Sequence, residues 1–192
     1  REAAERLGVN PDEPTLLVTG GSLGALHVNE SVTAAADALP ERAQVVHLTG
    51  RGKDEPVRAA VEAAGLSDRW HVIDYLTTME DALAVADLVV CRSGAGTVAE
   101  MEALGLPCIY VPLPIGNGEQ RLNAADHVAA GGAQLVDDKD FTADFVRRNV
   151  FPLLGSTRLA DMAAASQSLG RAGAARALAD LALEQGKEAC HE

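Results

Sequence analysis

Aromatic side chains are nearly missing from this sequence: Phe, Tyr and Trp make up 3% of 192 residues, although 47% are hydrophobic. A core without them has to be assembled from Ala, Val and Leu, which suits helices packed on a buried parallel sheet better than an antiparallel sandwich. The length allows one sizeable core. No apolar run approaches the roughly 20 residues that a membrane-spanning helix requires. The first residues, REAAERLGVNPDEP, are charged where a signal peptide would be apolar, and read as the end of a helix or linker preceded by more chain. Positive charge is short as well, since 16 Lys and Arg against 28 Asp and Glu leave a net charge of −12. Such an excess of acid speaks against a nucleic-acid surface and against an anionic membrane face. It leaves room for a phosphorylated ligand held locally by backbone N–H groups. Cysteine is scarce too. Cys91, Cys108 and Cys190 share no metal-ligand spacing and read as reduced structural thiols of a cytoplasmic protein.

What is present is a regular alternation. Apolar segments TLLVTG (15–20), QVVHLTG (44–50), WHVIDYL (70–76), DLVVCRSG (87–94) and PCIYVPL (107–113) stand between helical patterns. The helical stretches are ALHVNESVTAAADAL, DEPVRAAVEAAGL, TVAEMEALG and EQRLNAADHVAAGG. A short AQLVD (133–137) precedes a largely helical C-terminal third, broken near Pro152 and Gly170. Strands of this length between helical patterns predict an α/β fold with a parallel sheet and right-handed crossovers. Asp54 and Thr97 read as helix caps, while Gly105 and the pair Gly131-Gly132 end helices.

The first strand runs into Gly20-Gly21-Ser22-Leu23-Gly24, which matches the literal spacing of a nucleophile elbow, G-x-S-x-G. His47, His71 and His127 follow Ser22 and could supply a base, but no strand or oxyanion loop precedes the turn. A dinucleotide fingerprint lacks its glycine spacing and its acid after the second strand, and a P-loop lacks its Lys-Ser/Thr pair. A tight turn without ligand is the plain alternative. The physics shared by these motifs remains: a strand delivers the chain to the sheet edge, glycines admit close approach, and helix N–H groups with a positive dipole end favour an anion.

A second loop is built the same way. After the fourth strand, Ser93-Gly94-Ala95-Gly96 leads to Thr97 and a helix carrying Glu100. In a doubly wound sheet the first and fourth strands are neighbours at the topological switch point, so both glycine-rich turns face one crevice. Glu100 lies one helical turn after Thr97, where its carboxylate either meets ligand hydroxyls or closes a capping box with Thr97. The fifth strand ends in VPLPIGNGEQRLNA, whose Asn117, Glu119, Gln120 and Asn123 suit sugar hydroxyls, or simply form a solvated loop. Phosphate, ribose and sugar recognition along one sheet edge add up to a nucleotide-sugar site.

Taken together, LLVTGGSLGALHVNES, VVCRSGAGTVAEMEALGLPCIYVPLP and GEQRLNAADHVAAGGA closely resemble the C-terminal half of the N-acetylglucosaminyltransferases of glycosyltransferase family 28. The resemblance implies a Rossmann-like doubly wound domain, residues 1–192, forming one half of a GT-B enzyme. It implies an inverting transfer of N-acetylglucosamine from UDP-N-acetylglucosamine to lipid I, giving lipid II for peptidoglycan. Carried over by position, Gly20, Gly21, Ser22, Leu23 and Gly24 would bind the diphosphate. Leu76 would contact uracil through its backbone, with Tyr75 and Met79 beside it. Glu100 would hold the ribose hydroxyls, Ala95, Gly96 and Thr97 would line the pyrophosphate path, and Ser93 and Gly94 of the same loop would belong to the binding site. Glu119 and Gln120, with Asn123 nearby, would meet the sugar; many relatives have glutamine where this chain has Glu119, which keeps an acceptor and loses a donor. Arg92 and Arg121 would offset phosphate charge, or Arg92 would be a structural ion-pair partner. The resemblance implies no metal and no cofactor. The family's N-terminal domain, which would bring the lipid I acceptor, the catalytic base and the membrane contact, has no counterpart in this sequence. No catalytic residue is therefore expected here, and the full-length enzyme would sit peripherally on the cytoplasmic face of a bacterial membrane. Alternatives are another GT-B enzyme such as a diacylglycerol glucosyltransferase or a UDP-sugar epimerase, a serine hydrolase using Ser22, and a non-catalytic nucleotide-binding module.

Overall fold

The computed structural model describes residues 1–21, 24–115 and 117–170. The apolar segments form six parallel strands: β1 (Thr15–Thr19), β2 (Gln44–Leu48), β3 (Trp70–Ile73), β4 (Leu88–Cys91), β5 (Cys108–Tyr110) and β6 (Ala133–Leu135). Their order across the sheet is β3-β2-β1-β4-β5-β6. β1 pairs with β2 on one side (Leu17 beside Val46) and with β4 on the other (Leu17 beside Val89). The sequence direction thus reverses between β1 and β4, the switch point of a doubly wound sheet.

Alternation along the strands builds a core on each face. Leu16, Val18, Val45, Leu88, Val90 and Ile109 belong to one cluster; Leu17, Val46, Val89 and Tyr110 belong to the other. Leu16, Leu17 and Val18 are all fully buried, each worth about 1.5–3 kcal/mol against exposure. Helices α2 (Leu26–Thr33) and α3 (Asp54–Ala63) cover the first face through Val28, Val32, Val57 and Val61. Helices α1 (Glu2–Leu7), α4 (Met79–Val85) and α5 (Ala95–Leu104) cover the second through Ala4, Leu83 and Met101. Scarce as they are, most aromatics go inside: Trp70, Tyr110, Phe141 and Phe151 are buried, Tyr75 is exposed, and Trp70 meets Phe151 edge-on with ring centroids 6.5 Å apart.

Several local expectations change. The stretch from 25 to 39 is a two-turn helix followed by a 3₁₀ turn over Ala36–Ala38. Residues 119–132 split into α6 (Glu119–Asn123) and α7 (Ala125–Ala129), hinged at buried Ala124. Helix α4, between β3 and β4, was not legible as a separate pattern. After β6 come α8 (Ala143–Phe145), a π turn over Val146–Val150, a 3₁₀ turn containing Pro152, and α9 (Thr157–Leu169), which stops at Gly170. The helical reading beyond Gly170, like Cys190, lies outside the described residues. Among the described residues no helix is long and apolar enough to cross a membrane.

Candidate functional site

Loops from the carboxyl edge of the sheet enclose a cleft of ≈ 350 Å³. The β1–α2 turn contributes Thr19, Gly20 and Gly21, the β3–α4 loop Tyr75, Leu76 and Met79, and the β4–α5 turn Arg92, Gly94, Thr97 and Glu100. Gln120 reaches in from α6. These are the stretches that the sequence singled out, drawn from loops separated by up to a hundred residues.

Glycine is required in the first turn for contact, not freedom alone. A Cβ on Gly20 would lie 2.2 Å from the Ala25 nitrogen, and one on Gly24 would lie 2.0 Å from the Thr49 carbonyl oxygen. Gly24 also has φ 67, the left-handed region, and its N–H donates to the Gly21 carbonyl at 2.9 Å. The turn is therefore pressed against the end of β2, and α2 begins directly behind it. Its N-cap, Ala25, offers no side-chain acceptor to the first-turn N–H groups. Gly94, the N-cap of α5, offers none either. The start of α5, whose amides lack a side-chain cap, lines the cleft through Gly94 and Thr97, and the glycine turn that leads into uncapped α2 lines it through Gly20 and Gly21, an arrangement that favours an anion.

Helix α5 starts three residues earlier than expected. Thr97 is the third residue inside it, not its cap, so no capping box with Glu100 forms. Glu100 is exposed and has no hydrogen-bond or ion-pair partner among the described residues, which leaves its carboxylate available. The expected cap at Asp54 also shifts: Lys53 is the N-cap, and the Asp54 carboxylate binds Arg58 one turn on.

Other candidates are held by the protein itself. Arg92 Nη1 donates to the Val111 and Pro112 carbonyls and is paired with Asp138, with 15% of its side chain exposed. That is the structural ion-pair role weighed for it. Arg121 is paired with Asp137. Asn123 Nδ2 donates to the Ser93 carbonyl at 3.1 Å and ties α6 to the β4–α5 turn. Ser93 is fully buried, and its hydroxyl has no partner among the described residues. Gln120 Oε1 accepts from the Leu113 N–H at 2.9 Å. Glu119 lies in an adjoining groove of ≈ 320 Å³ that shares Gln120 with the cleft. Ala95 and Gly96 stand in the first turn of α5 outside the cleft lining. Ser22 and Leu23 lie outside the described residues.

Sequence reasoning missed Gly50 and Asp74, which line the cleft, and Arg51 beside them. The signal is HLTGRG, a third glycine-bearing turn after a strand, which lacks a ribose-binding acid yet brings Gly50 to the cleft.

The histidines are engaged elsewhere. His47 is fully buried: its Nε2–H donates to Asn29 Oδ1 at 3.0 Å, and its Nδ1 accepts from Trp70 Nε1–H at 3.3 Å. Burial pushes its pKa down to about 3, so the ring is neutral. His127 Nδ1 accepts from the Tyr110 hydroxyl at 2.9 Å, its Nε2–H donates to Ser166 Oγ at 2.7 Å, and Ser166 donates to the Gly132 carbonyl. His71 is half-buried against Gly8, 3.9 Å from where a Cβ there would stand. The two buried rings have no ring nitrogen left for a serine, which removes the support those residues lent to a hydrolase. Among the described residues no group of three His, Cys, Asp or Glu could hold a metal ion. Cys91 and Cys108 are free and buried on adjoining strands, and the neighbouring Cys108 together with burial raises the Cys91 thiol well above its ordinary range.

Comparison with known proteins places the fold in a family. Residues 15–178 match the model of the glycosyltransferase family 28 C-terminal domain. A Bifidobacterium adolescentis protein named UDP-N-acetylglucosamine--N-acetylmuramyl-(pentapeptide) pyrophosphoryl-undecaprenol N-acetylglucosamine transferase is 52% identical over 167 residues, covering 80% of this chain and 42% of that protein. A Bifidobacterium longum protein of the same name is 48% identical over 194 residues, covering 93% and 49%. The chain thus spans about half the length of the curated relatives it matches. Among solved structures, Acinetobacter baumannii MurG superposes with TM-score 0.80 at 28% identity, covering 92% of this chain and 51% of that one. A putative UDP-N-acetylglucosamine 2-epimerase from Listeria monocytogenes superposes with TM-score 0.70 at 20% identity, covering 98% and 48%, a likeness of fold alone. With the family model spanning most of its length, the chain belongs to the C-terminal domain of glycosyltransferase family 28.

Proposed function

We propose that these 192 residues form the donor-binding domain of an inverting N-acetylglucosaminyltransferase that takes UDP-N-acetylglucosamine and serves lipid I as acceptor. The observation that carries the reading is one cleft lined by the glycine turn before α2, by the uncapped start of α5 and by Glu100, which has no partner among the described residues. A diphosphate against the β1–α2 and β4–α5 turns would meet backbone N–H groups and the positive ends of both helices. Negative charge grows on that diphosphate as the acceptor hydroxyl attacks the anomeric carbon and UDP leaves, so fixed dipoles there stabilise the transition state. Ribose hydroxyls would donate to Glu100, and uracil would sit against the Tyr75–Leu76 backbone. Glu119, Gln120 and Asn123 remain candidates for the sugar end, and Ser22 and Leu23 for the diphosphate. The base that takes the acceptor proton, the lipid I site and the membrane contact belong, in this reading, to the other half of a protein of the relatives' length, peripheral on the cytoplasmic face.

Calorimetric titration tests it. UDP and UDP-N-acetylglucosamine should bind the folded chain, and UDP-glucose should bind more weakly. The chain alone should transfer nothing to a lipid I analogue. Folded protein that gives no heat with millimolar UDP would overturn the assignment.

A further inference from the structure

Cations close to the cleft are few and mostly engaged. Arg92 is held by Asp138 and by carbonyls of the β5–α6 loop, and Arg121 by Asp137. Asp74 and Glu100 add negative charge to the same lining. A nucleoside diphosphate would add more, and helix dipoles offset only part of it. Arg51, exposed on the β2–α3 loop, has no carboxylate partner among the described residues. Its guanidinium carbon lies 3.9 Å from the centroid of the Tyr75 ring, and Tyr75 lines the cleft.

The loop that carries Arg51 is held from behind. Gly50 lines the cleft at φ 87, and the Thr49 carbonyl just before it accepts from Asn29 Nδ2 at 2.9 Å while packing against Gly24. Because β2 lies between β1 and β3, this loop stands between the glycine turn and the Tyr75–Leu76 segment. Stacking uses the face of a guanidinium and leaves the N–H groups on its edge to donate. A lysine ammonium cannot stack and fork in the same way.

We propose that Arg51 is a further donor-binding residue: Tyr75 holds its guanidinium face-on at the mouth of the cleft, and its N–H edge meets the diphosphate of the nucleotide. The inference rests on the nucleoside-diphosphate reading of the cleft. Arg51 would supply the cation, without a carboxylate partner among the described residues, that Arg92, fixed in its ion pair, does not.

Titrations of UDP and of uridine, which lacks phosphate, separate charge from packing. Arg51→Ala should weaken UDP about tenfold, the size of one charge-assisted contact. Uridine affinity should change less than about twofold, since no charge is met there. Arg51→Lys should recover part of the UDP loss, and the gap between wild type and Arg51→Ala should narrow in high salt. Tyr75→Leu should weaken both ligands. UDP affinity unchanged in Arg51→Ala, or UDP and uridine weakened equally, would overturn the role of Arg51 while leaving the site reading intact. Wild-type protein that binds neither ligand would overturn both.

Discussion

Glu100 projects from the second turn of α5 at a position where a capping box would have occupied it. Because α5 starts at Ala95, the carboxylate has no structural duty among the described residues, and removing its charge should not disturb the fold. Glu100→Gln is therefore expected to keep the melting temperature within about 2 °C, as surface changes usually do. The same change should weaken UDP roughly five- to tenfold, because one carboxylate can accept from two vicinal hydroxyls and an amide oxygen serves them less well. A 2′-deoxyribose diphosphate should show a smaller gap between the two proteins. Equal UDP affinity would remove Glu100 from the ribose. The sequence pattern could locate this residue, since it depends on spacing along one helix. It could not assign Arg92 or Asn123, whose partners Asp138 and the Ser93 carbonyl come from distant segments. Nor could it find Arg51, whose importance rests on a ring brought in from the neighbouring strand's loop.

The β1–α2 turn makes a different kind of demand, because its glycines answer to the backbone around them. Gly21 has φ 80 with nothing within 4 Å of a would-be Cβ among the described residues, while Gly24 combines φ 67 with a contact of 2.0 Å to the Thr49 oxygen. Gly21→Ala should cost only about 1–2 kcal/mol, the price of a left-handed conformation for an L side chain. Gly24→Ala adds an overlap with backbone that cannot rotate away, and should cost about 3 kcal/mol or more. Urea denaturation of the two variants measures the difference. In whatever Gly24→Ala protein folds, α2 is displaced from β2 and UDP binding should fall. Glycine-rich turns after strands stood out in the sequence as breaks in hydrophobic runs. Helix limits were less legible, because capping depends on where the first backbone hydrogen bonds form. Gly94 and Lys53 took positions that side-chain chemistry would give to Thr97 and Asp54.

Two buried imidazoles bind the layers together. The Tyr110–His127–Ser166–Gly132 chain fastens α9 to β5 and the start of β6, and the Trp70–His47–Asn29 chain fastens α2 to β2 and β3. Each ring donates from one nitrogen and accepts at the other, so each must stay neutral. Burial holds His47 down to about 3, and lowers His127 and His71 as well. In the unfolded chain they titrate near about 6.5. Between that pH and about 3 the unfolded state binds a proton that folded His47 refuses, so stability is full above about 6.5 and falls as pH drops. His47 alone contributes a slope approaching about 1.4 kcal/mol per pH unit. Urea midpoints at pH 7.5, 6 and 5, above the range where the carboxylates titrate, should decline in that order. A midpoint constant across them would contradict the neutral-core assignment.

Strand positions, the two-faced core and the glycine turns at one sheet edge followed from the order of residues alone, because hydrophobic period and backbone freedom are local properties. The strand order that sets β1 against β4 was expected from that pattern and is realised in the register of Leu17 with Val89. Only the packed chain settled which charges are neutralised internally, which histidines are sealed in the core, and that the β2–α3 loop joins the cleft. Those depend on contacts between segments far apart in sequence, where distance and burial, not spacing, fix the energy of a charge or a hydrogen bond.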